Sequence, residues 1–180
     1  MGTAQLLHQQ QILLIRSVFF FYGNEATNAL AQQIAMQIQQ HWNEPQAVVR
    51  LQPATRKMNS LFSSMRGYFS NGSSLLPASA EWLVQFRIEG HCKPALQPEE
   101  VWYNTNPENN YFRIEASSPT HVSFVDGVGS NTGYFKVDNL LQTSTTAAHE
   151  YGHTLGLDHP PVMDIRGNGT PGIMYPRGTL

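Results

Sequence analysis

The stretch HEYGHTLGLDHP (149–160) constrains this chain more than any other, because three histidines, a glutamate and two glycines share twelve positions. The preceding TSTTAA supplies cap-type residues and then alanines, so a helix is predicted over 143–156. On that helix His149 and His153 stand about 40° apart in azimuth and ~6 Å apart along the axis, close enough for two imidazoles to share one ion. Glu150 follows His149 directly and points along a different line, flanking the ion rather than ligating it. A continuing helix would carry His159 about 120° around the axis and ~9 Å beyond His153, away from the ion. Gly156 resolves this, since glycine takes positive φ without a Cβ clash and can end the helix in a sharp turn. The chain then swings back so that His159 supplies a third nitrogen, and Pro160-Pro161 prevents the helix from resuming.

Three imidazoles with one open position fit catalytic zinc. Zinc lowers the pKa of a water toward about 7, and Glu150 is placed to act as the general base. From the chain's own His, Glu and Gly frequencies, H-E-x-x-H-x-x-G-x-x-H arises by chance in roughly 4 of 100,000 such chains.

The rest of the chain supports one globular domain over 1–180. Apolar residues make up 41% and aromatics 11%, enough for a core. With charged residues at 13%, a net charge of −2 and no Lys/Arg cluster, a nucleic acid or an anionic membrane is not an expected partner. The start, MGTAQLLHQQQILLIRSVFFFYG, lacks a basic leader, and Arg16 interrupts its apolar run. It reads as a strand rather than a signal peptide or membrane span, and the cellular compartment stays open. Cys92 is the single cysteine and excludes an intrachain disulfide.

Strands are predicted at 11–22, 46–52, 81–90, 110–117, 121–126 and 133–138, the last three forming an antiparallel edge region. Leu30, Ile34, Ile38 and Trp42, with Ala31 and Ala35, predict one amphipathic helix that Pro45 terminates. The Ser-, Asn- and Gly-rich segment 53–80 reads as an insertion loop with a short helix near 57–66. The fold class is therefore α+β: a twisted mixed sheet of about five strands, a backing helix and a zinc-binding helix.

HEYGHTLGLDH resembles the metzincin zinc peptidases, most closely the matrixin branch, and PGIMYP (171–176) resembles the matrixin Met-turn. The resemblance implies a metalloendopeptidase acting on a protein or peptide substrate. It implies zinc on His149, His153 and His159, Glu150 as catalytic base, and Met174 as an apolar floor. It also implies an upper subdomain over about 1–156 and a short lower one over 157–180. HVSFV (121–125) would be the edge strand along which an extended substrate docks, with GYFKVD the alternative; the spacing from NYFRI through GVGSNTG also has an astacin flavour. Astacins place a tyrosine two residues after the methionine, where this chain has Pro176, so Tyr175 is not assigned as a ligand. Met174 lies fifteen positions after His159, more than the usual matrixin interval. The family's C-terminal helix has no counterpart in the six residues after Met174.

Weaker candidates remain. Asp126 in DGVGSNTG could hold calcium but reads first as a turn residue. Cys92 lies in GHCKP, away from an inhibitory-cysteine motif, and reads as a passive thiol. His41, His91 and His121 read as ordinary histidines. A monomer is expected. Two alternatives use the same residues: a zinc-stabilised domain that binds peptides without cleaving them, and a hydrolase acting on a non-peptide amide.

Overall fold

The computed structural model describes residues 1–51, 80–140, 144–162 and 172–175. Its frame is a mixed sheet of seven strands among those residues. In chain order they are β1 Thr3–Leu7, β2 Ile12–Tyr22, β3 Val48–Leu51, β4 Ala80–Cys92, β5 Asn109–Glu115, β6 Phe124–Val125 and β7 Thr132–Lys136. The order across the sheet is β3-β4-β2-β5-β7-β6, with β1 antiparallel to the first half of β2. The α+β class and the mixed sheet agree with the sequence reading, while the strand number exceeds the expected five.

β2 sits at the centre because its alternating residues satisfy two faces at once. Phe19 and Phe21 are fully buried on one face, with Leu13 and Ile15 packed beside them. Each buried phenylalanine contributes about 1.5–3 kcal/mol through the apolar surface it removes from water. Helix α1, Asn28–Asn43, lies on this face, and the Thr27 hydroxyl accepts the Leu30 N–H to cap it. Ala31, Ile34, Ala35 and Ile38 are buried against Val84, Phe86 and Ile88 of β4, the stripe that the four-residue spacing predicts. Leu30 and Trp42 flank the stripe as partly buried members.

Past Val84, β4 has no strand on its outer side among the described residues, because β3 pairs only with Ala80–Leu83. The side chains of α1 occupy that edge. Asn43 accepts the Phe86 N–H at 2.8 Å and donates to the Phe86 carbonyl at 3.0 Å, and Gln39 accepts the Ile88 N–H at 3.1 Å.

Several expectations are corrected. β5 and β7 do not form an antiparallel edge; Tyr111 to Glu115 pairs in parallel with Thr132 to Lys136. The segment after β5 carries the chain past the seat of β7. β6 therefore takes the outermost position, and the turn after Asp126 brings the chain back between the two. Of these three strands only β6 and β7 pair antiparallel, and β6 has two residues where six were expected. β1 is an addition: its residues are largely exposed and carry no apolar alternation. So is α2, Pro98–Trp102, a short helix with proline in its first turn. The predicted helix near 57–66, most of the insertion segment and much of 157–180 lie outside the described residues. No described helix is long and apolar enough to cross a membrane.

Candidate metal centre

Helix α3, Thr146–Thr154, carries the first part of the motif and is shorter than the predicted 143–156. Tyr151 anchors its inner face. The ring is fully buried against Phe19, Trp42 and Phe86, and its hydroxyl lies 2.9 Å from Ser17 Oγ. Trp42 of α1 also donates its indole N–H to the Ala148 carbonyl at 2.9 Å. With one side fixed, the opposite side presents His149, half-buried, and His153, buried, to the cleft.

The end of α3 is a two-bond glycine cap. Leu157 N–H donates to Gly152 O and Gly156 N–H donates to His153 O, both at 3.0 Å, and Gly156 has φ +90°. The reversed chain brings Leu157 O to within 2.8 Å of His153 Nδ1 and returns His159 to the helix. Asp158 accepts the His159 N–H at 2.7 Å and stiffens the return. A Cβ at Gly156 would meet open space, so only the backbone conformation opposes substitution. Gly156→Val is therefore expected to cost ~1–2 kcal/mol, as measured by urea unfolding. Equal stability of the two proteins would contradict the role given to this turn.

The three rings converge through their Nε2 atoms. His149 and His153 are separated there by 3.1 Å, His149 and His159 by 3.1 Å, and His153 and His159 by 3.2 Å. The outer hydrogen bonds decide what these atoms are. His149 Nδ1 lies 2.8 Å from Ile173 O, and His153 Nδ1 lies 2.8 Å from Leu157 O. A carbonyl can only accept, so both Nδ1 atoms carry the proton and both Nε2 atoms present lone pairs. Bare lone pairs held this close repel unless a cation sits among them. Ligand nitrogens of tetrahedral zinc stand about 3.3 Å apart, close to the separations here, so the donor set fits that ion. Among the described residues these histidines are the one group of three ligating side chains close enough to hold a metal.

Glu150 is 7% exposed on the same turn. Burial pushes its carboxyl up to about 7, against a smaller opposing pull from the Val125 N–H that donates to it. Met174 packs its sulfur on Gly152, where any Cβ would collide with Met174 Sδ and crowd Trp42. Met174 thus lies against the helix turn between the two histidines, as its neighbour Ile173 orients the His149 ring.

A cleft of about 500 Å³ opens over the site between β6 and α3. His149, Glu150, His153, His159, Asp158 and Tyr175 line it. β6 and α3 run side by side in the same direction. Ser123 lies by Asn139, whose carbonyl bonds Ser144 before the helix; Val125 meets Glu150; and Gly129 N–H donates to His153 O at 2.7 Å. The alternation of the β6–β7 ladder, in which Asp126 N–H donates to Thr132 O, turns the Ser123 and Val125 N–H groups toward the cleft. Asn139 Oδ1 accepts from Ser123 N–H, and Glu150 accepts from Val125 N–H.

Sequence reasoning placed Val125 only on a substrate-docking strand, not as a partner of Glu150, and did not identify Asn139 or Trp42 as parts of this site. Their roles depend on which elements become neighbours, and no local pattern encodes that. Asp126 does not join other acids; its carboxylate accepts from the Thr132 hydroxyl across the turn. His91 lies beside Glu89 and stacks on Phe20, and His121 is exposed with φ +63°. Cys92 is partly buried against the core. Comparison with protein-family models, with curated proteins and with solved structures finds no match to this chain.

Proposed function

We propose that this chain is a zinc-dependent metalloendopeptidase with a metzincin-like catalytic domain, most like the matrixin branch. The observation that carries the reading is the set of three Nε2 atoms within 3.2 Å of one another, beside a buried glutamate and open to a cleft. His149, His153 and His159 would hold the metal, oriented by the carbonyls of Ile173 and Leu157 through the first two rings. Zinc bound there supplies Lewis acidity, which makes water acidic near neutral pH and polarises a scissile carbonyl.

Glu150 receives the proton of the attacking water on its carboxylate and passes it to the departing amine. Its ordinary pKa would make it a weak base; burial brings it toward the working pH. An extended peptide docks along β6 through the main-chain carbonyls of Ser123 and Val125, since their N–H groups are held by Asn139 and Glu150. The substrate is a protein or peptide, and the domain acts as a monomer.

The test is zinc content by elemental analysis, followed by cleavage of a mixed peptide library before and after chelation. One zinc per chain is expected, with cleavage lost on chelation and regained on adding zinc. A zinc-loaded protein that binds peptides and cuts none would overturn the enzyme and leave a binding domain.

A further inference from the structure

The amides that close the outer edge of β4 also face a second pocket, of about 470 Å³, which shares no lining residue with the cleft. Its polar lining is Gln39, Asn43, Gln46, Gln85 and Arg87, and the rest is apolar. One guanidinium and four amides therefore surround the space, and no carboxylate does.

The strand edge decides which way two of these amides point. A backbone N–H can only donate and a carbonyl can only accept. Asn43 must turn Oδ1 to the Phe86 N–H and one Nδ2 hydrogen to the Phe86 carbonyl. Gln39 must turn Oε1 to the Ile88 N–H. With both oxygens committed to β4, the hydrogens left over are two on Gln39 Nε2 and one on Asn43 Nδ2. Gln46 joins the wall from a left-handed backbone position, φ +48°, where a glycine would fit with less strain but offer no amide.

Arg87 adds a charge that the fold leaves unbalanced. Its neighbour in register on β2 is Arg16, and like charges side by side on adjacent strands repel. Glu89, on the same face of β4, is shared between Arg16 and His91, each at 3.8 Å. Among the described residues no carboxylate pairs with Arg87. Helix α1 ends beside the pocket with about half a negative charge, which opposes an anion but is smaller than the whole charge of the guanidinium.

We propose that this pocket binds a small oxyanion, a carboxylate or a phosphate ester, through Arg87 and the free amide hydrogens of Gln39 and Asn43. Guanidinium and amide donors match two or more oxygens of one such group at once. A cation would meet Arg87 and no acid. An apolar ligand would strip water from the donors and return no hydrogen bond. The site stands independently of the metal centre and of the peptidase reading.

The test titrates the zinc-loaded, isotope-labelled full chain with methyl phosphate and, separately, with succinate, against sodium chloride at equal ionic strength. NMR follows the Arg87 Nε–H and the side-chain amides of Gln39 and Asn43. Saturable shifts at these groups are expected with at least one probe, and the ratio of the two affinities assigns phosphate or carboxylate. Arg87→Gln is expected to weaken binding by at least ~10-fold, through loss of a charge-assisted contact. Gln39→Glu keeps an oxygen for the Ile88 N–H but puts a negative charge where two hydrogens stood. It is expected to weaken binding by at least ~10-fold while the Ile88 amide stays protected from exchange. Shifts no larger than those from chloride, or shifts only at His149, His153 and His159, would overturn the site. So would affinities unchanged in both variants.

Discussion

Glu150→Gln is expected to lower peptide cleavage by at least ~100-fold while leaving zinc uptake close to wild type, the low end for removing a positioned general base. Glutamine is the informative replacement because the structure gives Glu150 two tasks. Its carboxylate accepts the Val125 N–H, and glutamine keeps an oxygen for that bond. What glutamine lacks is the capacity to take a proton from water. Alanine would remove both at once and leave the Val125 N–H without its side-chain acceptor. Cleavage assays on both proteins at matched zinc occupancy decide the matter. A Glu150→Gln protein retaining most of its rate would move the base elsewhere, with Asp158 the nearest other carboxylate lining the cleft.

His159→Ala is expected to weaken zinc binding by at least ~100-fold, the upper range for losing merely an outer-shell partner. His149 and His153 sit on one rigid helix with their Nδ1 protons committed to carbonyls, so they still offer two lone pairs. Two imidazoles do not reproduce the three-nitrogen face that the returning loop completes. Competition against a chromophoric chelator measures the loss, and His121→Ala serves as a control that keeps full affinity. Full zinc occupancy in His159→Ala after extensive dialysis would sink the three-histidine assignment.

The histidine cluster was legible because its geometry is local. A spacing of four on a helix, a glycine and a return of three residues fix the relative positions of three side chains with little help from the fold. The α1 stripe was legible for the same reason, since Ile34 and Ile38 repeat at the helical period. Strand direction was not. The alternation in NYFRIE shows which residues face inward, yet it is identical for parallel and antiparallel neighbours, so the β5–β7 pairing could not be read from it. β1 escaped notice because its exposed residues match no burial pattern, and α2 because one short helix gives too little periodicity. Thr145 and Thr146 read only as helix-start residues; their place in the cleft comes from β6 lying alongside α3. The same holds for Val125, whose N–H matters because a glutamate 25 residues later in the sequence lies against it.

The amides of Asn43 and Gln39 on the outer edge of β4 have a further consequence. A bare strand edge invites another chain to extend the sheet, which is how many β-rich proteins begin to aggregate. Over Phe86 to Ile88 the seats such a chain would need are already taken by two side chains that cannot propagate a ladder. A peptidase, as proposed for this chain, would be at particular risk of being joined by extended segments in the wrong place. Along this stretch of β4 the fold refuses that company.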